Sequence, residues 1–238
     1  MFVPTLKSTE KGGRKSHSID ATESLSRLSI VEGEGYNQIQ IYGPRLDMDT
    51  DFKVWVGIVY ALSNKKLSHD GQLELNFPEY AKYCGIESKR IDRQLKDRFD
   101  ASLTRIARTN ISFIKKIPGT DDHITINMHL VESTYYDSST GTIIIKPNAK
   151  LNTLYRVDGK TRLYLKSLQK LSRKESAQAL YLYLAELPAT FYRIGFDRLR
   201  KRLQLTSHLG NQNATVKKSS SAAEGHWISR ILSRERER

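Results

Sequence analysis

At 238 residues the chain is long enough to bury one large core or two small ones. Its formal net charge of +13 favours a polyanionic partner, and no run of 18 apolar residues offers a membrane span. The single cysteine, Cys84, excludes an intramolecular disulfide and a multi-cysteine zinc site; His17, His69, His123, His129, His208 and His226 show no ligand spacing, so no metal or other cofactor is expected.

Residues 1–35 are polar and carry Gly12, Gly13, Gly33 and Gly35, which reads as a mobile arm with a short helix around Ala21–Ser29. They contain no apolar h-region, so the expected compartment is the bacterial cytoplasm. Tyr36–Tyr42 alternates, with Ile39 and Ile41 on one face, and predicts a strand closed by Gly43-Pro44. A helix follows, capped by Asp47 or Asp49, with Phe52, Trp55, Val56, Val59 and Leu62 on its apolar face. After a turn at Gly71, Leu73 and Leu75 mark a short strand, and Asn76 caps a helix beginning near Phe77-Pro78. That helix ends at Cys84-Gly85. A second begins at Ser88 with a core stripe of Ile91, Leu95, Phe99, Leu103 and Ile106. Two helices joined by a short glycine turn match a helix-turn-helix. Ile111–Ile117 and His123–Val131 flank turn residues 118–122 and predict a hairpin, the wing of a winged helix. Thr142–Lys146 is a further strand and Asn148–Tyr155 a short helix.

The order then recurs. Ala177, Leu180, Tyr181, Leu184 and Leu187 line a helix stopped by Pro188; Phe196, Leu199 and Leu203 align the next; a polar turn leads to a third, Asn/Gln/Thr-rich start. The fold class is α+β, with two tandem winged-helix domains: an arm over 1–35, a first domain over 36–160 and a second over 161–218.

The charge is divided unevenly. Residues 151–238 hold 18 Lys and Arg against 7 Asp and Glu, a net of +11, while residues 1–150 hold 21 against 19, a net of +2. Such an excess in the second half points to double-stranded DNA as the partner and to salt-sensitive affinity. Asn211, Gln212, Asn213 and Thr215 open the third helix of that half; Asn and Gln pair with adenine and Thr meets the thymine methyl. Arg198, Arg200, Lys201, Arg202, Lys217 and Lys218 suit phosphate contacts that position without reading sequence, as do Arg173 and Lys174 ahead of the first helix. In the first domain Ser88, Lys89, Arg90, Arg93 and Lys96 are candidates for contact with the DNA backbone, and Lys115 and Lys116 on the hairpin suit a wing touching phosphate. Tyr181, Tyr183, Phe191 and Tyr192 read as core and interface rather than as a stacking platform. Catalysis is not expected: Tyr135-Tyr136 and His123/His129 lack a metal-binding His-x-His pair, and there is no GxxxxGK loop.

Longer motifs add a family. FVPTLKS from Phe2, GPRLDMDTDFKVWVGIV from Gly43, YAKYCGI from Tyr80, KESAQALYLYLAELP from Lys174, and FDRLRKRLQL with NQNATVKK closely resemble the RepA-type replication initiators of FIB-group plasmids. These belong to the wider iteron-binding initiator family. The resemblance runs from Phe2 to about Lys218. It implies a C-terminal winged helix docked in the major groove of repeated origin sites. It also implies an N-terminal one that adds a DNA contact and holds a dimer interface. Monomers would open the origin and bring in host initiator and helicase; dimers, in equilibrium with them, would repress the protein's own gene; no membrane takes part. From Ser219 the sequence SSSAAEGHWISRILSRERER departs from the family, which continues the helix and enters a wing. Serines weaken a helix, so residues 219–238 are expected to be a disordered tail left by a frameshift or truncation, and the second domain to lack its complete recognition helix and wing. A winged-helix repressor, or an initiator reduced to dimerisation and non-specific binding, are the alternatives.

Overall fold

The computed structural model describes residues 17–25, 29–155, 171, 174–186, 194–203, 205 and 207–235. They divide into two units at residue 157.

The first unit starts earlier than the expected domain. Strand β1 (His17–Asp20) pairs antiparallel with β2 (Gln38–Gly43). Two short helices lie between them, α1 (Thr22–Leu25) and α2 (Ser29–Glu34). Ala21, Ile30 and Val31 are buried, and Thr22 Oγ1 accepts from Ile39 N at 2.9 Å. Residues 17–25 and 29–35 are therefore part of the packed unit rather than a mobile arm: Ala21, Ile30 and Val31 enter the core, which a polar composition conceals.

Helix α3 (Asp51–Asn64) follows a turn in which Asp47 Oδ1 accepts from Thr50 N at 2.8 Å and from Asp51 N at 3.3 Å. Asp47 thus satisfies first-turn donors, as expected of a cap. The buried face is Val54, Trp55, Ile58, Val59 and Ala61. Phe52, Val56 and Leu62, expected inside, are only half-buried, because a helix so rich in apolar residues leaves its inward direction to tertiary packing. Gly57 sits in the middle of α3 for a packing reason. A Cβ there would meet Cys84 Sγ far inside contact distance and lie 3.1 Å from Tyr80 Cε2.

Strand β3 (Leu73–Asn76) runs straight into α4 (Phe77–Tyr83), whose cap Asn76 accepts from Glu79 N at 2.9 Å. Gly85, at φ +76°, turns the chain out of α4. Ser88–Arg90 then forms only a 3₁₀ turn, and α5 (Arg93–Ala107) begins after Asp92, which accepts from Leu95 N at 2.7 Å. The helix expected from Ser88 is delayed because Asp92 makes the cap. Phe99, Leu103 and Ile106 are buried as expected, whereas Ile91 and Leu95 are half-buried.

Four strands follow: β4 (Asn110–Lys116), β5 (His123–His129), β6 (Val131–Asp137) and β7 (Thr142–Pro147). They serve two antiparallel sheets, β1-β2-β4-β5 and β3-β7-β6. The second contains β3, the short strand between α3 and α4 that precedes the helix-turn-helix of α4 and α5, and the hairpin β6–β7, and is the winged-helix sheet. The wing is therefore β6–β7, not the β4–β5 hairpin read from the sequence, which extends the sheet of β2 with Ile39 opposite Phe113. A 3₁₀ segment, Ala149–Tyr155, closes the unit, and Tyr155 Oη donates to Leu130 O at 2.5 Å.

Phe77 lies at the centre of the core, with ring centroids 5.4 Å from Phe99 and 5.9 Å from Tyr136. Among the buried charged residues Asp51 is the most enclosed. Asp51 is fully buried; it accepts from Ser102 Oγ at 2.7 Å, from Arg105 Nε at 3.0 and 3.1 Å, and from Asp47 N at 2.9 Å. This ties the start of α3 to the last turns of α5.

The second unit has α6 (Glu175–Glu186), α7 (Phe196–Leu203) and α8 (Leu209–Glu235), each packed on the other two, and no strand among the described residues. Ala177, Leu180 and Tyr181 are buried as expected, with Ala179; Leu184 is half-buried, and Leu187 and Pro188 lie outside the described residues. Leu199 and Leu203 are buried, but Phe196 is 40% exposed. Helix α8 does not stop at Lys218. It runs through Ser219–Ser221 to Glu235, so the disordered tail expected from 219 is helical here. A serine costs only about half a kcal/mol against alanine in a helix, and buried Val216 and Ser219 anchor this stretch.

Candidate nucleic-acid interface

The second unit presents a helix-turn-helix of α7 and α8, with α6 behind. His208 starts α8: its carbonyl accepts from Gln212 N at 3.1 Å and its Nδ1 from Gly210 N at 3.3 Å. Along α8, Asn211, Ala214, Lys217, Lys218 and Ser221 are exposed, whereas Val216 and Ser219 are buried. At 3.6 residues per turn the exposed set covers an arc of about 120° over about 15 Å of axis, which fits the major groove of B-DNA.

Of the four side chains expected to read bases, this face takes only Asn211. The Gln212 amide donates to Ser207 O, Asn213 Oδ1 accepts from Arg200 Nη1 at 2.6 Å, and Thr215 Oγ1 donates to Asn211 O at 2.9 Å. Ala214, absent from the sequence reading because alanine carries no polar signal, lies on the exposed arc instead.

The cations of α7 turn inward more than their composition suggests. The Arg198 and Arg202 guanidiniums lie 5.7 and 5.6 Å from the centre of the Tyr183 ring on α6. Arg200 is bound to both Asp197 and Asn213. Lys201 is exposed, as are Lys217 and Lys218. Lys174 is exposed at the start of α6, where its carbonyl accepts from Gln178 N at 2.9 Å. Arg173, Phe191 and Tyr192 lie outside the described residues. Tyr181 is buried, as a core residue should be.

In the first unit the candidates separate. Lys89 and Arg90 belong to the 3₁₀ turn and pair with Glu87 at 3.0 and 3.9 Å; Ser88 shares that turn. Arg93 and Lys96 are on α5, the Lys96 ammonium 5.8 Å from the Phe77 ring centre. Both border a depression of about 480 Å³ between α5 and the wing, lined also by Ile91, Asp92, Asp97, Tyr136 and Ser138. Tyr136 Oη is buried there without a hydrogen-bond partner. Burial raises its pKa, and the nearby carboxylates of Asp100, Asp97 and Asp137 add to the shift. Lys115 Nζ donates to Glu34 O at 2.8 Å and Lys116 is exposed, both on the sheet of β2 and away from the wing. Tyr135 is 55% exposed on β6. No His/Cys/Asp/Glu group able to hold a metal occurs among the described residues.

Residues 22–185 match the family described as initiator replication protein, WH1. The chain is 45% identical over 221 residues to a replication protein RepA of Salmonella typhi, covering 92% of this chain and 61% of that protein. It is 44% identical to the RepFIB replication protein A of Escherichia coli K12, again over 92% of this chain and 67% of the relative.

The chain belongs to the initiator replication protein family.

It is thus of the RepA type of plasmid replication initiators, and it spans about two thirds or less of the length of these relatives. Among solved structures, domains 2–3 of RctB superpose with a TM-score of 0.51 at 12% identity, covering 93% of this chain and 78% of that one. That is a likeness of fold. No described helix is long and apolar enough to cross a membrane.

Proposed function

We propose that the chain binds repeated duplex sites in a plasmid origin, with the exposed arc of α8 in the major groove. The observation that carries this reading is the composition of that arc: one amide able to pair with adenine, one methyl, two lysines and a hydroxyl on a helix held from behind by α6 and α7. Lys217, Lys218, Lys201 and Lys174 supply phosphate contacts in this unit. Arg93 and Lys96, beside the wing, supply an auxiliary contact from the first. Membership of the initiator family supports origin opening, recruitment of host initiator and helicase by the monomer, and self-repression by a dimer formed through the first unit.

The test is selection of a preferred duplex from a random pool by the protein, followed by alanine substitution. Asn211→Ala should cost about 1–3 kcal/mol and relax preference at one base pair. Lys217→Ala should weaken binding to all duplexes and lower the salt slope by about 0.9. If neither change alters binding, α8 is not the reader.

A further inference from the structure

Arg200 lies in the most cationic run of the chain, yet its side chain is only 16% exposed, while that of its neighbour Asp197 is 83% exposed. Its guanidinium is shared between two acceptors: Nη2 binds Asp197 Oδ1 within α7, and Nη1 donates to Asn213 Oδ1 at 2.6 Å in the first turns of α8. A planar fork bonded at both ends fixes direction as well as distance. Asn213 lies two residues from Asn211 and one from Ala214, so the bond sets the rotation of α8 at the point where its exposed arc begins.

We infer that Arg200 is a positioning residue of the reading helix: it acts through Asn213 to hold α8 in register and makes no phosphate contact of its own. The inference rests on the proposed role of α8. Arg198 and Arg202, held over Tyr183, flank the same frame, and Lys201 is the cation of α7 left exposed. Asn213, by the same geometry, serves the frame rather than a base.

The experiment uses the whole chain, a duplex selected by it from a random pool, and a shuffled duplex of equal composition, each across a salt series. Arg200→Ala should weaken binding to the selected duplex about tenfold, the range of a charge-assisted hydrogen bond. The slope of log affinity on log salt should stay that of the parent, whereas Lys201→Ala should flatten it. Asn213→Ala should lose the same affinity, and the Arg200→Ala/Asn213→Ala double variant should be no weaker than either single one. Melting followed by circular dichroism accompanies each variant. If Arg200→Ala does not fold, Arg200→Lys replaces it; a lysine keeps the charge but not the fork, so it should lose selectivity at an unchanged slope. A slope lowered by about 0.9 in the arginine variant would make Arg200 a phosphate contact, and additive losses in the double variant would make Asn213 an independent reader; either overturns the inference. No preference by the parent protein for the selected duplex would overturn the reading of α8 itself, and this inference with it.

Discussion

Replacing Asp51 by Asn keeps the shape of a buried side chain and removes its charge. Asp51 is fully buried and accepts from Ser102, Arg105 and the Asp47 amide, while Arg105 retains 20% exposure. Stranding one partner of a buried pair costs about 3–5 kcal/mol. Water reaching Arg105 relieves part of this, and no cavity is left, so about 3 kcal/mol is expected. For a unit of this size that lowers the melting midpoint by about 10 °C. Asp49 offers a control: it too pairs with an α5 arginine, Arg98 at 2.7 Å, but both side chains are about half exposed, so Asp49→Asn should cost under about 1 kcal/mol. Urea unfolding followed by Trp55 fluorescence in a Trp227→Phe background reports the first unit alone. A loss below about 1 kcal/mol for Asp51→Asn would refute the reasoning that this pair joins α3 to α5.

Two further outcomes follow from close packing and from the wing. Gly57→Ala should destabilise by about 1–3 kcal/mol through overpacking against Cys84 and Tyr80, despite the better helix propensity of alanine; adding Cys84→Ala should recover most of it, and urea midpoints that ignore the second change would contradict the contact. Asp137, at the β6–β7 turn, has its pKa lowered to about 2, first by the Ser139 hydroxyl and amide and then by Thr140. A depressed carboxyl stabilises the fold above its unfolded pKa of about 4 and loses that contribution as pH falls towards 2. Asp137→Asn should therefore flatten stability over that window, and an NMR titration placing the carboxyl above about 3.5 would contradict the turn geometry.

Local signals carried well from sequence to structure. Leu73/Leu75, the Asn76 cap, the α4 stop at Gly85 and the hairpin tip at 118–122 all depend on residues within a few positions of one another. Pairings between distant strands did not carry. Both hairpins alternate, and only register shows Leu73 opposite Ile145 and Leu75 opposite Ile143, which makes β6–β7 the wing. The inward face of α3 was equally hidden, since apolar residues nearly surround it. In the candidate interface, residue type pointed to Arg200 and Asn213 as partners of DNA, but a bond across 13 residues pairs them with each other. Ala214 joined the exposed arc of α8 through helical phase alone.

Fluorescence anisotropy of the 238-residue chain, on its selected duplex and on a shuffled one across a salt series, tests the central claim most directly. Sequence-specific reading by α8 predicts a preference of at least about 10³-fold. Equal and steeply salt-dependent binding to both duplexes would show phosphate contact alone and contradict the account.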